Sequence, residues 1–148
     1  MALLLTASTV IGDTMTLFQA VYPISNEDTN ALPVKELGRA IAFYRAVLGF
    51  SVVAKGSATA VLKRDEVQIG LIQKADHNPL EAGSCYFAVS DVEALRRELE
   101  GNGAKPGAIE IQEHDGKNYR LFFVRECDML ESHDGYCFCF GQPADGPA

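Results

Sequence analysis

Four cysteines (Cys85, Cys127, Cys137, Cys139) and three histidines (His77, His114, His133) are the side chains of this 148-residue chain best suited to metal or nucleophile chemistry. Cys137 and Cys139 stand two apart, and on a strand residues two apart face the same side. Both thiols would then enter one space. With Cys85 or Cys127 they would offer a soft-metal site or a trap for an electrophile. Without such partners they act as small hydrophobes, the usual role of a buried cysteine. Cys85 is one residue from Ser84 and is expected on the other side of its strand. His77 falls in a polar linker, His114 in the Glu113-His114-Asp115-Gly116 turn and His133 beside Asp134. Glu131 and His133 are the one loop-borne pair spaced for a metal. The chain has no G-x-S-x-G elbow, no P-loop and no Gly-rich dinucleotide fingerprint. Gly101-Asn102-Gly103-Ala104 ends a helix instead of opening one, so it is not a phosphate cradle. No residue is assigned a catalytic role.

The elements that must position these groups follow from periodicity. Leu37, Ala40, Ile41, Tyr44, Val47 and Leu48 have the i, i+3, i+4, i+7 spacing of one helical face. Gly49 then stands where a left-handed helix cap belongs, and Phe50-Ser51-Val52-Val53-Ala54 turns β-rich. Leu17–Ile24 is apolar and β-prone, and Ala31–Val34 is read as continuing toward the helix. Strands are expected at Phe50–Lys55, Ala58–Lys63 and Val67–Gln73, joined by Lys55-Gly56-Ser57 and Arg64-Asp65-Glu66 turns. After a linker the pattern recurs. Cys85–Val89 reads as a strand, and Ser90 with Glu93 fits a capping box. Val92, Leu95 and Leu99 make a helical stripe, and Ala108–Gln112, Tyr119–Arg125 and Tyr136–Phe140 read as strands. Superposing Val34-Lys35-Glu36-Leu37 on Val89-Ser90-Asp91-Val92 gives an offset of 55 residues.

The expected fold is α+β: two tandem β-α-β-β-β modules forming a curled mixed sheet with an open cavity. One domain is expected over 17–142, with modules at about 17–74 and 83–142. Residues 1–16 read as a flexible tail, with Met15 an alternative start to Met1. The Gly- and Pro-rich end from Gly141 frays, and 143–148 is a second tail.

The run Phe43-Tyr44-Arg45-Ala46-Val47-Leu48-Gly49-Phe50 resembles the FYR-x-x-LGF helix end of the glyoxalase / bleomycin-resistance / dioxygenase (vicinal oxygen chelate) superfamily. Asp134-Gly135-Tyr136 resembles the turn before that family's last strand, with Met129–His133 as an insertion. Ser84–Val92 and Ala31–Leu37 look most like the bleomycin-resistance branch. The resemblance implies a cavity often completed by a second chain, and in many members a divalent metal on four inward His or Glu side chains. Carried over by position, those four fall at Thr29, Gly70, Ser84 and Cys139. Thr, Ser and Gly are poor ligands for a tight site, so no metal and no other cofactor is expected.

What remains is a pocket. Strand alternation puts Gln68, Gly70 and Ile72 on one side of one strand, Ser84 and Tyr86 on one side of another, and Cys137 and Cys139 opposite Tyr136, Phe138 and Phe140. These seven residues (Gln68, Gly70, Ile72, Ser84, Tyr86, Cys137, Cys139) are the candidate ligand-pocket set. Net charge is −7. That argues against nucleic acid, which needs clustered Lys and Arg, and favours cationic ligands. No apolar run is long enough for a membrane span, and with no basic leader the cysteines are expected reduced, in a cytoplasm. The functional expectation is a metal-free, homodimeric protein binding a small molecule such as a cationic antibiotic or metabolite, hence an antibiotic-resistance role. The alternative is a metal-dependent glyoxalase-like lyase, isomerase or dioxygenase with a different ligand set.

Overall fold

The structure is a computed structural model and describes residues 16–24, 28–78, 82–125 and 134–144. The expectations placed on Met1–Met15, Cys127, Met129–His133 (with Glu131 and His133) and the end beyond residue 144 lie outside the described residues.

Within them the chain runs β1 (Phe18–Pro23), β2 (Leu32–Val34), α1 (Leu37–Ala46), β3 (Ser51–Lys55), β4 (Thr59–Arg64), β5 (Val67–Gln73), β6 (Ser84–Val89), α2 (Val92–Gly101), β7 (Glu110–His114), β8 (Lys117–Arg125) and β9 (Cys137–Pro143). The class is α+β, with two β-α-β-β-β units. They build two curled mixed sheets where the sequence suggested one. The orders are β2-β5-β4-β3 and β1-β6-β9-β8-β7. Each unit closes its own sheet because its first strand pairs in parallel with its own last: β2 with β5 and β6 with β9.

β1 is the main departure from the sequence reading. The sequence groups it with the first module and continues it toward the helix, yet it joins the second module's sheet. It runs antiparallel to β6, with Phe18 opposite Val89 and Tyr22 opposite Tyr86. The separate strand β2 fills the place beside β5. Hydrogen-bonding chemistry anchors this arrangement: the Asp65 carboxylate accepts the N–H groups of Leu17 and Phe18, both at 3.0 Å. Asp65 opens the two-residue β4–β5 turn with φ +53°, a conformation Asp tolerates better than most residues.

The 55-residue repeat is physical. Val34 and Val89 end the first strands, and Leu37 and Val92 begin the helices. Each helix has the same unusual cap. Gln73 at the end of β5 accepts the N–H of Leu37 at 2.8 Å, and Gln142 near the end of β9 accepts that of Val92 at 2.7 Å. Both satisfy a donor that a helix start leaves open. β9 therefore continues through Gly141 and Gln142, where the sequence suggested fraying. The capping side chain of α2 is Asp91, whose carboxylate accepts Ala94 N–H at 3.0 Å. Ser90, the expected cap, lies one residue too early; its hydroxyl donates to Thr16 O, and Glu93 pairs with Arg120.

α1 ends as its sequence predicts. Gly49 has φ +75°, and beyond it Phe50 N–H returns to Tyr44 O at 3.0 Å, closing the helix end. Gly49 also makes room. A Cβ there would stand 2.6 Å from an Arg64 guanidinium nitrogen. Arg64 crosses from β4 to α2, forks onto Glu98 at 2.7 and 2.8 Å, donates to Leu48 O at 2.8 Å, and lies 4.6 Å over the Phe18 ring. Around it Phe18 packs edge-on against Phe50, Phe87 and Phe140 at 5.5–6.0 Å. This aromatic core spans both modules and fixes each sheet's inner register.

Candidate functional site

The face of the five-stranded sheet turned away from the helices is built by alternation. On β6, Cys85, Phe87 and Val89 are buried in the core, so Ser84, Tyr86 and Ala88 point the other way. On β9, Phe138 and Phe140 enter the core, which sends Cys137, Cys139 and Gly141 to the same outer face. Cys85 opposite Ser84, and the two phenylalanines opposite the two cysteines, are as the strand period predicts. The register aligns Ser84 with Cys137 and Tyr86 with Cys139. These four candidate pocket residues come together on one face.

Gln68, Gly70 and Ile72 lie on β5 of the other sheet, opposite Val67, Ile69 and Leu71. Gln68 is exposed and Ile72 half-buried. Gly70 is covered by the turn before β2. Its N–H donates to Thr29 O at 2.9 Å, and a Cβ built on it would stand 2.0 Å from the Asn30 carbonyl oxygen. The turn is self-braced, with Asn30 N–H on the Asp28 carboxylate and Ala31 N–H on Asp28 O, each at 2.9 Å.

The four positions where the fold's metal ligands would stand can therefore be judged by chemistry. Thr29 lies beside Gly70 through its backbone. Gly70 has no side chain, and backbone fills the space one would need. Ser84 carries an ordinary hydroxyl. Cys139 is buried, and burial first, then the neighbouring Cys137 and Glu110, push its thiol up to about 12. It is the one soft donor of the four. This donor set does not fit a divalent centre. No cluster of three or more His, Cys, Asp or Glu groups suited to a metal occurs among the described residues.

The remaining features of the face were not apparent from the sequence. Tyr22 of β1 lies opposite Tyr86, their rings 6.3 Å apart and tilted by 33°. Phe123 lies opposite Cys139, Leu121 opposite Gly141, and Glu110 opposite Leu121. Leu121 and Cys139 are buried although neither belongs to the central core. Tyr86 loses water contact, and with Cys139, Tyr119 and Tyr22 close by its hydroxyl rises to about 12, so it stays protonated at neutral pH. The period-two string Tyr119, Leu121, Phe123 is hidden because Phe122 within it and Val124 after it are equally apolar. Tyr22 joins the face only through the pairing of β1 with β6, which no local pattern in the sequence reveals.

The histidines serve elsewhere. His77 places Nε2 2.8 Å from Asp134 O and stacks on Tyr136 at 5.9 Å. Asp134 is itself buried, accepting Lys35 N–H at 2.8 Å, while Tyr136 donates to Pro33 O at 2.7 Å. These contacts clamp the second module's last turn onto the first module. His114 closes the exposed end of β7. A groove of about 480 Å³ lined by Ala42, Arg45, Ala46, Phe50 and Ser51 opens on the α1–β3 side, away from the candidate residues. No helix among the described residues is long and apolar enough to cross a membrane.

Comparison with known proteins agrees with this geometry. The structure resembles a bleomycin resistance determinant encoded on the transposon Tn5, at 20% identity over 81% of this chain and 99% of that one, TM-score 0.66. It resembles a bleomycin-binding protein complexed with bleomycin, at 21% identity over 80% and 98%, TM-score 0.64. A bleomycin-binding protein from Streptomyces verticillus complexed with copper(II)-bleomycin follows at 18% identity over 78% and 94%, TM-score 0.54. At these identities the likeness establishes the fold. No curated protein matches by sequence. The Glyoxalase/Bleomycin resistance protein/Dioxygenase superfamily model matches residues 28–140, most of the described structure, and the chain belongs to that superfamily.

Proposed function

We propose that this protein is a metal-free binder of a small organic molecule, held on the outer face of the five-stranded sheet at Ser84, Tyr86, Cys137 and Cys139. One observation carries the reading. The position that would hold a ligand side chain in the first module, Gly70, is closed by the Asn30 carbonyl, while its counterpart Cys139 sits in an amphipathic face. A surface with a few polar groups among apolar ones suits ligand recognition better than electrophilic catalysis. The bleomycin proteins of the same fold support a drug-like ligand, and the net charge of −7 favours a cationic one. An open sheet face encloses little by itself, so the working form is a homodimer in which a second copy covers the ligand.

Thermal-shift screening with bleomycin and other cationic glycopeptides tests the reading, because a ligand that binds only the folded state raises the melting temperature. A concentration-dependent rise supports it, and no shift across a broad panel refutes it. Elemental analysis of untagged protein tests the metal-free part: stoichiometric Ni, Zn, Fe or Mn would instead favour the lyase or dioxygenase alternative. Light scattering tests the dimer.

A further inference from the structure

The seam between the two modules is closed where both helices end. Asn102, the residue that caps α2, donates its side-chain Nδ2–H to Val47 O at the end of α1, at 3.0 Å. Next to it Arg64 donates to Leu48 O at 2.8 Å while it grips Glu98 of α2. Both bonds satisfy carbonyls that a helix end leaves open. α2 closes with two return bonds of its own, Gly103 N–H to Glu100 O at 3.1 Å and Ala104 N–H to Leu99 O at 2.9 Å, over a Gly103 at φ +99°.

Asn102 is also the one asparagine of five in the chain that a glycine follows. Glycine has no Cβ to shield its nitrogen, and nothing stands within 4 Å of where one would be on Gly103. Both residues are exposed to water. Such a pair holds an electrophile and a nucleophile side by side. The Gly103 nitrogen gives up its proton and bonds to Asn102 Cγ. The Cγ–Nδ2 bond breaks, and the amide leaves as ammonia with that proton. Water then opens the cyclic imide at either carbonyl, giving aspartate or isoaspartate. The fold restrains this reaction, because the attacking N–H is held by Glu100 O and the leaving amide by Val47 O.

We infer that Asn102-Gly103 is a self-modification site gated by the docking of the two modules: it survives while the seam is closed and converts when the seam opens. Conversion then works against closing. A carboxylate at residue 102 turns the donor to Val47 O into an acceptor that faces an acceptor. It puts negative charge at the C-terminal end of α2, where the helix dipole disfavours it, one turn after Glu98. Isoaspartate also lengthens the backbone inside the cap and breaks its return bonds.

The test incubates the full chain at mildly alkaline pH, folded and in guanidinium, and follows the Asn102 peptide by mass spectrometry. Mass separates amide loss from the mass-neutral isomerisation of Asp-Gly pairs. Conversion at least about tenfold slower in the folded chain is expected, since attack waits on opening. Arg64→Ala, which loosens the seam without touching the dipeptide, should raise the folded rate about tenfold. Glu98→Gln, which keeps the fork's shape, should raise it less, and it reads the same gate if Arg64→Ala does not fold. Asn102→Asp, the product made directly, should lower Tm by roughly 3–8 °C. No conversion at Asn102 in the unfolded chain would overturn the site. Equal rates folded and unfolded, or a folded rate that neither seam variant changes, would overturn the gate. An Asn102→Asp chain that melts with the parent would overturn the consequence.

Discussion

Replacing Gly70 with alanine tests whether the Asn30 backbone closes the first-module position to a side chain. The new Cβ would stand 2.0 Å from Asn30 O, 2.7 Å from Asn30 C and 3.3 Å from Asn30 Cα. All three are backbone atoms, so no side chain can swing aside. The turn Asp28–Ala31 must lift by more than an ångström, and the Gly70 N–H to Thr29 O bond at 2.9 Å goes with it. Overpacking of this kind costs about 1–3 kcal/mol, and the lost hydrogen bond adds about 1 kcal/mol. The expected total is about 2–4 kcal/mol, or a fall in Tm of roughly 5–12 °C for a domain of this size.

The assay is paired thermal and urea denaturation of Gly70→Ala against Gly101→Ala. Gly101 ends α2, and a Cβ there meets nothing within 4 Å. Alanine at a helical position of that kind is neutral or stabilises by up to about 1 kcal/mol. The two variants make the same chemical change and should move in opposite directions. A Gly70→Ala protein that melts with the parent would refute the reasoning. The Asn30 backbone would then not cover Gly70, and the first-module ligand position would be open to a side chain.

Other expectations follow from the same contacts. Cys139 and Tyr86 are both held neutral in the fold, their ordinary values of 9.0 and 10.0 raised to about 12. The unfolded chain releases these protons first, so the stabilisation is complete below pH 9 and is lost as pH rises from 9 to 12. Melting curves over that window should fall less steeply for Cys139→Ala, and alkylation of Cys139 near neutral pH should be slow beside a free thiol. Arg64→Ala breaks a forked pair with Glu98 whose side chains are 14% and 33% exposed. A loss of about 3 kcal/mol is expected in urea titration, with Glu98→Gln costing less because the fork's shape survives. Gln73→Ala and Gln142→Ala should each cost about 1 kcal/mol by chemical denaturation. Markedly unequal losses would contradict the equivalence of the two modules.

Much of this architecture could be read from local chemistry. The helix stripe ending at Leu48-Gly49-Phe50 states its own stop, because a residue without Cβ and a return bond to Tyr44 are both local requirements. The Asp115-Gly116 turn and the 55-residue spacing are local too. What escaped detection was pairing. Nothing within Phe18-Gln19-Ala20-Val21-Tyr22-Pro23 says which sheet it joins. That choice is made by the Asp65 carboxylate, 47 and 48 positions along the chain. A bulge between Phe18 and Ala20 further obscures which residues share a face. The candidate site suffered the same way. Ser84, Tyr86, Cys137 and Cys139 could be grouped because alternation within a strand is local. Tyr22, Phe123 and Glu110 could not, since their membership depends on register across neighbouring strands.

The repeat explains why the function need not be shared by both halves. Thr29 stands to Ser84 as Val34 stands to Val89. Gln73 and Gln142 perform one task, so Gly70 and Cys139, three residues before each, are counterparts. Two related modules thus began from one geometry, and the side chains at a single position separate them. Glycine in the first module admits a backbone carbonyl and seals the face. Cysteine in the second cannot admit one, and Tyr86 and Phe123 flank it on the neighbouring strands. The two halves therefore differ at this position in what a side chain there can do. Reopening the first half would take more than a His at residue 70, because the Asp28–Ala31 turn would also have to move.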